Sequence, residues 1–379
     1  MERDLRTYPD FEFNLRELAG SMGDLGTLFP LAVGLIAVNR MDPTGLFVMM
    51  GLVNIVLGLI YRLPIPVEPK KVISVAAIGQ VWPAQMVVAS GLGMGLIWLF
   101  LAGTGLMRKV VDITPVSLVR GIQLALGIIL GAESIRLMSP EPWWGIIAIV
   151  IILLLRKSRY APAALVIMAL GLGLMALRGD LLPNLQFSIG LPRFAVPALS
   201  DVWDAMVLAG FAQIPLTLTN ATIATSVVIS DLFPHKPVSE TKLLLNQGVI
   251  NIASSLFGGM PMCHGSQGLV GQYYYGARTG GTKILEGILE ISLGVFLGAS
   301  LLAILSAFPM ALIGGMMFMV GIQLALPMRA LQRWDLALAV VTAFFSVMIN
   351  MAVGFVIGLL AAALLRELNR RGTIAVELE

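Results

Sequence analysis

Apolar runs of roughly 17 to 25 residues recur from one end of this chain to the other, and that length crosses the hydrocarbon core of a bilayer. No water is available there, so each run must pair its own backbone N–H and C=O groups, as a helix does. Charge content agrees with this reading. Only 12% of the 379 residues are charged, against about 25% in a soluble domain. A single cysteine, Cys263, excludes an internal disulfide. The net charge of +3 belongs to helix ends, where topology demands it, and gives no reason to expect a nucleic-acid partner. The polar start, Met1 to Phe13, shows no cleavable signal pattern, and none is expected.

Hydropathy and breaker residues predict fourteen segments. They are 15–38, 44–60, 70–82, 84–107, 113–135, 143–155 and 161–177, then 202–230, 239–257, 265–275, 281–305, 308–327, 335–349 and 351–367. Segments 70–82 and 265–275 are too short to span alone. Arg108, Lys109, Arg156, Lys157, Arg159, Lys236, Arg278, Lys283, Arg329, Arg333, Arg366, Arg370 and Arg371 then fall on one side. Arg40, Arg136, Arg178 and Arg193 fall on the other. The bias predicts a multi-pass cell-membrane protein with both termini cytoplasmic.

The two short segments follow interruptions of the backbone. One reads Pro64-Ile65-Pro66-Val67-Glu68-Pro69-Lys70-Lys71. The other reads Gly258-Gly259-Met260-Pro261-Met262-Cys263-His264-Gly265-Ser266-Gln267-Gly268. Prolines cannot donate to a helix ladder and favour extended chain before them. Each break should run extended and then start a half-helix, near Lys70 and near Ser266. The breaks are related. Gly121-Ile122-Gln123-Leu124-Ala125-Leu126 recurs 200 residues later as Gly321-Ile322-Gln323-Leu324-Ala325-Leu326, and Asn54 and Pro64 recur 197 residues later as Asn251 and Pro261. Residues 1–195 and 196–379 are therefore two repeats. Seven segments per repeat is an odd number, so the halves have opposite orientation, and the expected fold is an all-α, seven-plus-seven inverted-repeat transporter with broken half-helices in segments 3 and 10. Inversion should bring the two half-helix starts face to face at mid-membrane. Free N–H groups, two positive dipole ends, Lys70 and Lys71 would favour a small anion there.

Several blocks resemble the molybdate-transporter family, a branch of the sulfate-permease-like carriers. They are Gly23-Asp24-Leu25-Gly26-Thr27, Gln213-Ile214-Pro215-Leu216-Thr217, Pro261-Met262-Cys263-His264-Gly265, and Gly271-Gln272-Tyr273 through Gly276-Ala277-Arg278-Thr279-Gly280. The resemblance runs from about Phe13 to Leu365. It implies a core domain (13–108 and 200–305) and a gate domain (112–180 and 308–370). It also implies transport of molybdate, with sulfate as a related oxyanion, and a homodimer as partner state. One departure stands out. The family's usual Pro-Val-Gln-Pro-Met-Lys reads here with Glu68 for the Gln and Lys70 for the Met.

The binding residues expected are Thr27, Lys71, Gln213, Thr217, Asn220, His264, Gly265, Ser266, Gln267 and Gly268. Gln213, Thr217 and Asn220 share a helical face at spacings of four and three. His264 is either a donor near the anion or a structural hydrogen-bonding group. Asp24 is either a partner of Lys71, a proton carrier, or a bond to the backbone around Gly23 and Gly26. Asp24, Glu68 and Glu286 are the candidates for proton coupling. Asn54, Asn251, Gln123 and Gln323 read as glue between helices. Two histidines and one cysteine cannot build a convincing zinc site. Neither a metal, a cofactor nor an enzyme activity is expected, and no Walker A pattern supports ATP coupling. A sulfate or other oxyanion carrier and a nucleobase permease of the same fold are the alternatives. The latter would be expected to show carboxylates in the site.

Overall fold

The computed structural model describes residues 8–155 and 163–371. Arg156, Lys157 and Arg159, used above to assign sidedness, lie outside the described residues. In the first half the chain forms α1 (Leu15–Ser21), α2 (Leu25–Ala37), α3 (Pro43–Tyr61), α4 (Lys71–Gln80), α5 (Ala84–Thr104), α6 (Met107–Ile113), α7 (Val116–Met138), α8 (Pro142–Leu155) and α9 (Ala163–Arg178). The second half forms α10 (Leu199–Leu232), α11 (Glu240–Leu256), α12 (Ser266–Tyr275), α13 (Gly280–Ala307), α14 (Met310–Ala325), α15 (Arg333–Met348) and α16 (Met351–Arg370). Every expected segment falls on helix, and the fold is the seven-plus-seven inverted repeat. The first segment is a bent pair, with α2 turned 54° from α1 at Met22–Asp24. Among the described residues seven helices are long and apolar enough to cross a membrane, or eight with that pair. Large apolar side chains such as Leu154, Phe344, Leu360 and Leu364 face outward, as lipid contact requires.

The halves interlock. α3 lies along α13, α5 along α11, and α7 against α14 and α15. The repeated Gly-Ile-Gln-Leu-Ala-Leu sequence sits on α7 and α14, which face each other. Close approach at the α3–α13 crossing depends on small residues. A Cβ added at Gly51 would lie 2.5 Å from the Gly287 carbonyl oxygen. Such stripes let membrane helices gain van der Waals contact that lipid cannot supply. Gly51→Val should therefore cost about 1–3 kcal/mol or more through overpacking. A lowered midpoint in a thermal unfolding series in detergent is the expected reading, and an unchanged midpoint contradicts the close crossing.

The all-α expectation misses one element. The two breaks pair as an antiparallel ribbon, β1 (Glu68–Pro69) with β2 (Met262–Cys263). Glu68 stands opposite Cys263 and Pro69 opposite Met262. The Lys70 N–H donates to the Pro261 carbonyl at 2.9 Å. Extended backbone buried in a membrane protein has no solvent partner, so each break supplies the other's. Asn251 on α11 completes the pairing. Its Nδ2 donates to the Met262 carbonyl (2.7 Å) and its Oδ1 accepts the Met262 N–H (2.9 Å).

Candidate functional site

The ribbon sets where α4 and α12 begin. Each half-helix has ten residues, about 15 Å of rise, or half the hydrocarbon thickness. Their first turns therefore end inside the protein. Both N-termini carry unpaired N–H groups and a positive dipole end. At α4 the Val72 and Ile73 N–H groups are already engaged. Gln213 Oε1 accepts from the Val72 N–H (2.9 Å) and the Ile73 N–H (3.4 Å), and Gln213 Nε2 donates to Thr217 Oγ1 (2.9 Å). α10 carries Gln213 inward through a local irregularity. Pro215 interrupts its ladder, and wider π-type turns occupy Met206–Gly210 and Thr217–Ile223, a distortion often found at functional positions.

A cavity of about 70 Å³ opens beside the two tips, room for several water-sized bodies. Thr27, Glu68, Lys71, Gln213, Thr217, Asn220, Cys263, Gly265, Ser266 and Gln267 line one side. Gln123 of α7, with Val320, Gln323, Leu324 and Pro327 of α14 and the turn that follows it, line the other. Among these residues Lys71 is the single cation and Glu68 the single carboxylate, with Lys71 Nζ 3.4 Å from Glu68 Oε2. Arg120 stands behind Gln123 and donates to its Oε1 at 3.0 Å. Such a wall presents hydroxyls, amides and one ammonium to a small anion.

Eight of the ten expected binding residues meet at this cavity; His264 and Gly268 do not line it. The fully buried His264 ring lies 3.0 Å from the Pro66 carbonyl through Nδ1 and 2.9 Å from Asn246 Oδ1 through Nε2. It ties the two breaks together. Gly268 lies under the Glu68 carboxylate, where any β-carbon would collide with it. Asp24 is not a partner of Lys71. Its Oδ2 accepts from Gln272 Nε2 at 2.9 Å, one edge of a buried network behind the cavity. Gln272 also reaches Glu286 (3.3 Å), Lys283 Nζ donates to Glu286 (2.5 Å), and Asn54 Nδ2 donates to Glu290 (2.7 Å) and Glu286 (3.4 Å). Asp24 Oδ1, Asn54 Oδ1 and Gln272 Oε1 find no donor among the described residues. Three carboxyl groups share one cation here, so the network has more acceptors than protons to offer them.

Sequence reasoning missed Glu290 in this network and Gln123 and Gln323 in the cavity. The glutamines carried a signal, because each occupies the third place of the repeated hexapeptide. It also missed Glu17, fully buried, which accepts from the N–H groups of Arg278 and Thr279 at the start of α13. Among the described residues no group of three or more His, Cys, Asp or Glu side chains could hold a metal ion.

Known proteins bear on this arrangement. Residues 16–130 and 205–324 match a family model described as a molybdate transporter of the MFS superfamily. Molybdate transporter 1 of Arabidopsis thaliana is 30% identical, the alignment spanning 94% of this chain and 90% of that protein. Molybdate transporter 2 of the same plant is 32% identical over 82% of this chain and 78% of its own length. The transmembrane domain of a cyanobacterial bicarbonate transporter, BicA, superposes with a TM-score of 0.67, covering 92% of this chain and 97% of that one at 19% identity. At that identity the superposition speaks for the fold alone. The family match takes in both breaks, the Gln213–Asn220 face of α10 and the repeated glutamines at the cavity, and on that match the chain belongs to the molybdate transporter family.

Proposed function

We propose that this protein carries molybdate, or a tetrahedral oxyanion of the same shape and charge, across the cell membrane by alternating access. The observation that carries the reading is the cavity where two half-helix tips, Lys71 and a set of neutral donors converge. The Lys71 N–H and the backbone N–H groups from Gly265 to Gly268 would hold the oxygens, helped by Thr27, Gln213, Thr217, Asn220, Ser266 and Gln267. Neutral donors bind an oxyanion without trapping it, which a carrier needs. The names of the plant relatives support molybdate as the substrate.

The group made of α1–α5 with α10–α13 would act as the core, and α7–α9 with α14–α16 as the gate. The cavity lies between them, so a shift of one group against the other would expose it to each side in turn. Proton coupling would use Glu68 at the cavity together with the proton-poor network of Asp24, Glu286 and Glu290. Sidedness rests on the charge bias. Asp10 bonds both Arg62 (2.5 Å) and Lys236 (2.7 Å), which supports placing the N-terminal segment and both loops on one face, the cytoplasmic one. A homodimer is proposed on the resemblance, and the mass of the detergent-solubilised protein tests it.

Glu68 is the one observation that favours the nucleobase alternative, because a carboxylate in the site suits a neutral, hydrogen-bonding ring. Uptake of labelled molybdate into proteoliposomes separates the readings. Unlabelled tungstate or sulfate is expected to compete, and uracil is not. Competition by uracil alone would overturn the oxyanion reading. Current far above carrier turnover would replace the carrier with a channel, and a chemically altered ligand would point to an enzyme.

A further inference from the structure

Glu68 is the charged group for which oxyanion binding has no place. Its side chain is 1% exposed, yet neither carboxylate oxygen has a hydrogen-bond partner among the described residues. Lys71 Nζ, at 3.4 Å, is its only ion pair among the described residues. The carboxylate lies over the first turn of α12, against Gly265 and Gly268, where an added methyl at either glycine would overlap it. It also lines the cavity. Glu68 therefore sits between the one cation of the cavity and the positive end of a half-helix, the two features that attract an external anion. A dianion and an ionised carboxylate cannot share that space cheaply, since charge repulsion is strong where water is excluded.

We propose that Glu68 is a tethered stand-in for the transported anion: ionised, it occupies Lys71 and the α12 tip, and protonated, it releases both, so that each oxyanion enters with a proton. The proposal rests on the oxyanion reading above and adds the coupling step to it. The proton comes from the solvent side to which the cavity is open, bonds to a Glu68 oxygen, and leaves on the side where the anion leaves. No other bond changes. Among the described residues lining the cavity, no other carboxylate competes for Lys71. On the ribbon, the Lys70 ammonium turns away to the Trp98 ring (5.0 Å to its centroid) and Gln247 Oε1 (3.5 Å). Cys263 stands opposite in register, and the His264 ring is held by Pro66 and Asn246. On α2, Asp24 is held by Gln272. α10 presents uncharged side chains, with Gln213, Thr217 and Asn220 as its polar ones, and the first turn of α12 presents Ser266 and Gln267.

Calorimetric titration of the full chain in nanodiscs with sodium molybdate and, separately, sodium sulfate tests this from about pH 6 to about pH 8.5. Sulfate stays a dianion throughout, so any slope it shows belongs to the protein. In the unmodified protein, affinity for both anions is expected to fall by about tenfold per pH unit, the linkage of one proton. Glu68→Gln should remove the slope and bind at least about tenfold more tightly than wild type near pH 8. Titration in buffers of different ionisation enthalpy needs no variant. Wild type is expected to take up about one proton per anion near pH 7.5. A slope that persists in Glu68→Gln, or proton uptake near zero in wild type, overturns the proposal while leaving oxyanion binding in place. Absence of binding by unmodified protein at every pH would instead bring down the oxyanion reading, and this step with it.

Discussion

Lys71→Ala is expected to weaken molybdate binding by at least about 100-fold while leaving a folded protein. Lys71 is the single cation among the residues lining the cavity, and its side chain keeps 17% exposure. Partial access to solvent lets alanine be tolerated in the empty site. Loss of the ammonium acts on both states. It removes the attraction that holds the dianion once Glu68 is protonated, and it removes the partner that Glu68 occupies in the empty site, which offsets part of the loss. Truncating one member of a buried, paired charge set costs about 2–5 kcal/mol, and about 2.7 kcal/mol is a factor of 100. The offset is separable. In a Glu68→Gln background the same Lys71→Ala change should cost more, because no carboxylate competes for the ammonium in the empty site, and a double-mutant cycle by calorimetry reads that coupling. Equal losses in both backgrounds would mean that the two side chains act independently. A folded Lys71→Ala protein with unchanged affinity would move the anion site elsewhere.

Lys283→Met should destabilise the protein by about 3–5 kcal/mol, the usual result of removing one partner of a buried pair. Lys283 is fully buried and donates to Glu286, which shares the network with Asp24 and Glu290. Without the ammonium three carboxyl groups face one another with only amide donors between them. Folding must then recruit protons, so the native state binds more protons than the unfolded one, and stability should rise as pH falls. Thermal unfolding in detergent at about pH 6 and about pH 8 checks the sign. The double variant Lys283→Met/Glu286→Gln removes both charges of the pair and should recover most of the loss. Failure of that rescue would show that Lys283 serves the fold through something other than Glu286.

The two sets of buried charges illustrate why site detail escaped the sequence. Glu286 and Glu290 lie four residues apart next to Lys283, a spacing that puts them on one helix face and names no partner from elsewhere in the chain. Their partners, Asn54 and Asp24, come from the other half of the chain. Asn54 and Asn251 occupy equivalent places in the repeat, yet Asn251 clamps the backbone at Met262 while Asn54 serves Glu290. Inverted symmetry relates positions, and side-chain chemistry at the neighbouring position decides what each copy bonds. Gln213 shows the same limit. The sequence marked it as a donor for an anion, and the fold uses its carbonyl oxygen to cap α4.

Apolar length and proline placement were enough to locate fourteen helical segments and the two breaks, because those properties act within a few residues of backbone, and the recurring hexapeptide with an odd segment count was enough to give two opposed halves. The ribbon joining the breaks, the two glutamines facing the cavity, and the seat of Glu68 between Lys71 and α12 were decided only by tertiary structure. Each depends on groups about 200 residues apart in the chain meeting where no water can substitute for a missing partner.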